Sequence, residues 1–469
     1  MSEAAGRRHV LDHWVRRRDG GRLLAGGSPG RLVRLSPAGS DALDRLLAGT
    51  AGPEAAPLRD RLRGHGMLHP LALPGPPSPP PLTFVVPSKD GGPGLANLVA
   101  QLRAWGEVIV VEDRSRDGSP QLAAAAGATV LVNSGRPGPA GARNTGLAAV
   151  STEYVAMIDA DCSCPTEWAA PLAALLAEEP ELALAAPRVR STPAAGPIAR
   201  YERHGSPLDM GPHPALSGPG RAVPYVPSTA LVARRSALLE LGGFDEQLRF
   251  GEDVDLVWRA LENGWSVRYA PEVEVDHQPR QSLAAWARQR FDYGGSAVAL
   301  RQRHAEAVAP LRLAPLPAAT WLAAAKGGVG AGLVIAAAAA CITGARREDR
   351  SARLAITEVA FRSQLAATRQ LARAVSREWL PLTTAAALTS PRARRLAASL
   401  LLVDLAASVS GTSAGDRLPP TFPLLHLLGN AAYGTGLWRA SLRERSPAAL
   451  LPALHHRRAP IDLARMRGG

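Results

Sequence analysis

Cysteine is scarce: Cys162, Cys164 and Cys341 are the three in a chain of 469 residues. Three thiols cannot build a disulfide framework, and no second pair accompanies Cys162 and Cys164 to close a zinc site. Aromatic residues make up 4% of the chain, so its cores must rest on Ala, Leu and Val. The N-terminus lacks the apolar stretch of a secretion signal. These shortages predict a reducing, cytoplasmic setting. Acidic charge is short as well: 41 Asp and Glu stand against 54 Lys and Arg, a net charge of +13, and nearly all the cations are Arg. Such a surface suits phosphate-bearing ligands or anionic lipid head groups. No motif that reads DNA or RNA is present, so no nucleic-acid partner is expected.

The apolar fraction of 46% is ordinary for a globular chain, and the length predicts two or three domains. Residues 1–72 read as a small unit of their own. In "RLVRLSPAGSDALDRLLAG" (31–49) a short strand leads to a helix with Ser36 as N-cap and Pro37 at its first position, ending at Gly49. The proline-rich stretch 73–81 follows as an extended linker. From 82 to 305 apolar strands alternate with helices, with strands over 82–88, 107–113, 128–133 and 154–159. That alternation predicts an α/β domain whose mostly parallel sheet is covered by helices. Residues 306–469 turn Ala/Leu/Arg-rich and helical. Two segments there, 327–344 and 418–438, approach membrane-spanning length, but one is dominated by Gly and Ala and the other is broken by prolines. The Arg clusters point instead to a helical region resting on the inner face of an anionic membrane.

Ligands of open parallel sheets bind at the carboxyl ends of strands. Ser88, Lys89, Asp113, Asp159 and Asp161 all fall there. Asp159 and Asp161 are spaced so that both face one spot. Either they cap the next helix as solvated acids, or one holds a divalent cation while the other holds a ribose hydroxyl. Asp113 suits a pyrimidine N–H or ribose hydroxyl, whereas Asp117, followed by Gly118, suits a turn. "GRPGPAGARNTG" (135–146) places Arg143 near a helix start, an anion-binding arrangement without the lysine of a Walker loop. Glu252, Asp253 and Asp255 open an amphipathic helix, where acids either complement the helix dipole or supply a general base. His277 ends a strand as a metal or phosphate contact or as a structural hydrogen-bonding group. Arg288, Arg290 and two aromatics of "WARQRFDYGGS" (286–296) either clamp a diphosphate or stack on a sugar, or form a solvated helix face.

The stretches "VVPSKD", "VVEDRSRDGS", "AGARNTG", "IDADC", "GGFDE" and "GEDVDLVWR" occur in that order over 82–300. Together they resemble family-two glycosyltransferases with the GT-A fold. The resemblance implies a nucleotide-sugar site with Ser88, Asp113, Arg143, Asp159 and Arg290 on the donor, and Asp161 with His277 on Mn²⁺ or Mg²⁺. It makes Asp253 the catalytic base with Glu252 as its neighbour, in an inverting transfer without a covalent intermediate. Processive members carry Gln-x-x-Arg-Trp; the corresponding residues Ala287-Arg288-Gln289-Arg290-Phe291 keep only the Arg.

"RYERHGSPLDMG" (200–211), "YVPSTALVARRS" (225–236) and "AYGTGLWRASLRERS" (432–446) are similar to the glycosyltransferases of mycofactocin biosynthesis, and residues 1–72 resemble PqqD-like, winged-helix peptide-recognition domains. This narrower resemblance implies UDP-glucose as donor, a peptide-derived mycofactocin precursor as acceptor, and a short β-1,4-glucan as product. A polyprenyl-lipid or cell-envelope glycan acceptor is the alternative. A non-catalytic scaffold that binds a peptide by strand addition is the third.

Overall fold

The computed structural model describes residues 8–28, 30–72, 80–305, 307–313, 315–327, 338, 350–409 and 418–454. The linker expected at 73–81 and the apolar stretch at 327–344 lie largely outside the described residues. The chain packs as two compact units. One gathers residues 1–71, 308–410 and 441–469; the other comprises 72–307 and 411–440. The helices of the 306–469 segment are therefore distributed over both units.

In the first unit, strands β1 (His9–Leu11) and β5 (Leu68–Pro70) pair antiparallel, and β2 (Arg16–Arg18), β3 (Leu23–Gly26) and β4 (Arg31–Arg34) form a three-stranded sheet. Helix α1 (Pro37–Ala48) begins where the Ser36 hydroxyl accepts from the Gly39 amide at 3.1 Å. It ends at Gly49, which adopts φ 77°, a left-handed conformation open to glycine. With α2 (Ala56–Gly64) it buries Leu24, Leu43, Leu62, Met67 and Leu68 completely. Each such side chain stabilises the unit by about 1.5–3 kcal/mol relative to exposure. Helix Arg350–Ser376 belongs to this unit: its Ala355 packs with Leu23 and Ala25, and Arg18 pairs with Glu358.

The second unit is built on one sheet of nine strands. Its first half is parallel throughout, with β6 (Leu82–Ser88), β7 (Glu107–Glu112), β8 (Thr129–Val132) and β9 (Tyr154–Ile158) in the order β9-β6-β7-β8. Helices α3 (Gly94–Leu102), α4 (Ser119–Ala125) and α5 (Pro139–Ala149) connect these strands. Strand β10 (Cys162–Ser163), helix α6 (Ala169–Glu178), β11 (Leu182–Ser191), α7 (Pro197–Gly205), β12 (Ala215–Leu216), β13 (Ala230–Arg234) and α8 (Arg235–Glu240) follow. Helix α9 (Glu252–Glu262), strand β14 (Ser266–His277) and helix α10 (Leu283–Arg303) complete the series. Here the sheet becomes mixed: β13 runs antiparallel between β9 and β11, and β10 pairs antiparallel with β14. The expectation of a mostly parallel sheet thus holds for its first half. Helix Phe422–Arg443 packs on α10 in the same unit. No helix among the described residues is long and apolar enough to cross a membrane.

Candidate active site

The parallel strands end together, and their last residues line one edge of the sheet. Ser88 closes β6, and its carbonyl accepts from the Asp113 amide at 2.8 Å. Its hydroxyl is buried, and no protein group among the described residues bonds to it. A buried, orphaned hydroxyl at a strand end suits a ligand partner. The Asp113 carboxylate accepts from Asn133 Nδ2 at 2.9 Å and from the Gly138 amide at 2.8 Å, so it also fastens the loop leading into α5. Asp117 makes the turn: its carboxylate accepts from the amides of Ser119 at 3.0 Å and Gly92 at 2.7 Å.

Arg143, on the buried side of α5, is the centre of the site. Its Nη2 donates to Asp159 at 2.7 Å and its Nη1 to Glu252 at 2.9 Å. The guanidinium also lies over the Phe244 ring, 5.4 Å from its centroid. One cation thereby joins the end of β9 to the start of α9. Burial raises the Asp159 carboxyl above its usual range, with Arg143 pulling the other way. Glu252 is pushed up to about 7, first by burial and then by the Asp253 charge.

Gly251 carries φ 81° and turns the chain into α9, whose first residues are Glu252 and Asp253. Asp253 is half-buried, and its carboxylate accepts from the Ser228 amide at 3.4 Å and its own neighbour Val254 at 2.8 Å. Among the described residues it forms no ion pair, and burial raises its pKa. A half-open carboxylate of raised pKa has the properties of a general base. Asp255, by contrast, points into the fold and is held by Arg259 at 2.7 Å and His304 at 2.9 Å.

The register of β10 on β14 sets Cys162 opposite His277, which brings His277 beside Asp161. His277 Nε2 and the Asp161 carboxylate stand 3.5 Å apart, with Arg280 at 4.0 Å on the same acid. Burial works against the His277 charge, but Asp161 outweighs it and the imidazole pKa is raised; Asp161 itself is lowered. Among the described residues no set of three or more His, Cys, Asp and Glu side chains is arranged to hold a metal. The protein offers two donors here, an oxygen and an imidazole nitrogen.

Arg290 sits on α10. It pairs with Glu202, donates to the Gly205 carbonyl at 3.2 Å and lies over Trp286 at 5.4 Å. Arg288 is the solvated one, bridging to Asp292 four residues on. Sequence reasoning missed Glu202, Arg280 and Glu246. Glu246 accepts from Asn144 at 2.9 Å and from the Arg136 amide at 2.7 Å, binding the "GGFDE" loop to α5. Gly243 makes that contact feasible: at φ 72° it approaches Asn144 so closely that a Cβ would stand 2.4 Å from the amide oxygen. The acid in "GGFDE" was the available signal, three residues after a glycine pair.

Residues 83–242 match the model of glycosyl transferase family 2. A pre-mycofactocin glycosyltransferase of Mycobacterium tuberculosis is 38% identical over 468 residues, which cover 95% of this chain and 97% of that one. Two solved structures are similar to parts of the chain. A mannosyltransferase of Pyrobaculum calidifontis, in complex with GDP-mannose and Mn²⁺, is 18% identical over 72% of this chain and 90% of that one, with a TM-score of 0.38. The glucosyl-3-phosphoglycerate synthase of M. tuberculosis, in complex with Mn²⁺, UDP-glucose and phosphoglyceric acid, is 16% identical over 48% of this chain and 79% of that one, with a TM-score of 0.37. Neither carries its sugar or its metal over to this chain. The near full-length match at 38% identity is of another order, and with the ordered acids at the sheet edge it fixes the family: the chain belongs to glycosyl transferase family 2, an α/β nucleotide-sugar transferase grouped with the pre-mycofactocin glycosyltransferases.

Proposed function

We propose that this protein is an inverting glycosyltransferase that moves glucose from UDP-glucose onto a peptide-derived mycofactocin precursor and builds a short β-1,4-glucan. The observation that carries the reading is the pair of hydrogen bonds that Arg143 donates to Asp159 and Glu252, at 2.7 and 2.9 Å. It ties the donor side of the site to the helix that presents Asp253. The relative that supports the acceptor is the 38% identical pre-mycofactocin glycosyltransferase.

In this mechanism Ser88, Asp113 and Asp159 hold the nucleoside end of the donor. Asp253 takes the proton from the acceptor hydroxyl as that oxygen attacks the anomeric carbon, and the nucleoside diphosphate leaves from the opposite face. Inversion follows from the single displacement. Asp161 and His277 form a donor set that fits Mn²⁺ or Mg²⁺, with further positions left to phosphate oxygens and water. A divalent cation bound there would stabilise the negative charge of the leaving diphosphate. Arg290, which pairs with Glu202, is the candidate donor contact offered by α10. Helix Pro391–Val409 exposes Arg392, Arg394 and Arg395, which suits peripheral contact with anionic lipid.

Intact-mass spectrometry tests the reading. The purified chain is incubated with Mn²⁺, the mycofactocin precursor and either UDP-glucose or GDP-mannose. A ladder of hexose additions from UDP-glucose is expected, and Asp253→Asn should abolish it while UDP-glucose still binds. Hexose transfer by Asp253→Asn at the wild-type rate would remove the base, and labelling of a polyprenyl lipid alone would move the acceptor to the envelope-glycan alternative.

A further inference from the structure

Asp253 accepts from the Ser228 amide, three residues after Tyr225, and follows by three residues Phe250, whose ring meets Tyr293. Tyr225 is half-buried, and its hydroxyl donates to the Pro207 carbonyl at 3.3 Å. Tyr293 on α10 accepts from Gln289 Nε2 at 3.1 Å and meets the Phe250 ring edge-on, with centroids 6.0 Å apart. Tyr433 comes from helix Phe422–Arg443, more than a hundred residues further along the chain. Burial first, then the charge of Asp253, raises the pKa of both Tyr225 and Tyr293, and Tyr225 also senses Tyr293, Tyr433 and Arg290. These phenols therefore stay neutral.

Tyr433 is delivered by a backbone-to-backbone helix contact. A Cβ on Gly294 would stand 1.9 Å from the Tyr433 carbonyl oxygen, and one on Gly436 would stand 1.9 Å from that of Phe291. Gly429 lies against the Trp286 indole, where a Cβ would meet the ring at 3.1 Å. Only hydrogen fits at Gly294 and Gly436, so the late helix seats on α10 in one register.

We propose that Tyr225, Tyr293 and Tyr433 form the acceptor subsite beside Asp253, and that this subsite selects an uncharged, polyhydroxylated ring over a phosphorylated one. The inference rests on the catalytic reading given above. Neutral phenols both donate and accept hydrogen bonds, which matches the hydroxyls of a sugar or phenol. Their rings offer apolar faces to a stacked ring. Two nearby cations are already engaged, Arg290 by Glu202 and Arg143 by Asp159 and Glu252. Asp253 adds a negative charge that repels a phosphate.

The test measures transfer from UDP-glucose, with Mn²⁺, to phenyl β-D-glucoside and to its 6-phosphate. The neutral glucoside should be used about tenfold better in kcat/KM. Tyr225→Phe and Tyr433→Phe should each raise its KM about three- to tenfold, the loss of one hydrogen bond. The dissociation constant of UDP-glucose, by calorimetry, should change less than about twofold on that scale. Gly436→Val keeps every phenol and should raise KM likewise, with melting curves reporting its fold. An unchanged KM in both phenylalanine variants, or preference for the 6-phosphate, overturns the subsite. Transfer to the precursor but to neither glucoside also overturns it, with the function left standing. UDP-glucose binding without transfer to any acceptor overturns the function and the subsite together.

Discussion

Arg143 donates to Glu252 at 2.9 Å across 109 residues of sequence, and both side chains are nearly inaccessible to solvent. The contact couples the helix after β8 to the helix that carries the proposed base. Replacing Arg143 by Ala leaves the buried Glu252 and the half-buried Asp159 without their shared cation. Loss of one partner from a buried ion pair costs about 3–5 kcal/mol. Urea unfolding at neutral pH should show that loss, and acidification should relieve it as the two carboxyls take up protons. Equal stability of Arg143→Ala and wild type would mean that the bridge contributes nothing.

Glu252 predicts opposite pH trends for activity and stability. Its pKa is raised from 4.5 to about 7, by burial first and then by Asp253. A carboxyl whose folded value lies above its unfolded value contributes stability that is full below the unfolded value and lost as pH rises through the folded one. Stability should therefore fall between about pH 5 and 8, by an amount on the order of 2–3 kcal/mol. Activity should rise over the same window as the Glu252–Asp253 pair deprotonates. Glu252→Gln should flatten the stability trend and move the acid limb of kcat/KM to lower pH. An acid limb near 4 in the wild type would contradict the assignment.

Much of this was legible in the sequence because it is local. Ser36, Pro37 and Gly49 mark a helix whose bounds the structure reproduces at Pro37–Ala48. The parallel half of the sheet follows from apolar runs between helices, which depend on nearest neighbours along the chain. Asp117 in its turn was readable for the same reason. The second half of the sheet was not, because its antiparallel insertion of β13 between β9 and β11 is a long-range pairing that leaves no local periodicity. Arg290 shows the same limit. Its position beside aromatics suggests a diphosphate clamp, whereas its partner Glu202, 88 residues earlier, leaves no local trace. Charge type is visible in a sequence; the partner that neutralises it is set by tertiary packing.

Removing residues 1–72 would ask whether they bind a peptide acceptor. Leu23 and Ala25 pack with the fully buried Ala355, and Arg18 pairs with Glu358. Deletion would expose that apolar contact on helix Arg350–Ser376, so the truncated chain should melt lower and aggregate. Point changes on the exposed strand residue Arg16 should instead leave the melting temperature within about 2 °C, since surface substitutions stay near ±0.5 kcal/mol. A deletion variant that melts as the wild type does would show that the contact is dispensable.

Metal affinity should depend on pH through His277. Its imidazole is held above the usual range because Asp161, 3.5 Å away, outweighs the effect of burial. The protonated ring and a divalent cation compete for the same carboxylate, and a coordinating imidazole must first lose its proton. Mn²⁺ binding, followed by calorimetry, should therefore tighten as pH rises from about 6 to 8, with release of up to one proton per ion at the lower end. His277→Asn removes the competing charge and should flatten the pH dependence while weakening the metal at high pH. Asp161→Asn should weaken it at every pH, and chelation should stop hexose transfer until Mn²⁺ is restored. The stability trend has the opposite sign: a histidine with a raised folded pKa contributes stability below its unfolded value, and that contribution is lost as pH rises through the folded one. The metal-free protein should thus lose the His277–Asp161 pair over the window in which the ion binds more tightly. Calorimetry at two pH values separates the cases, because a metal held without displacing a proton would bind equally at both.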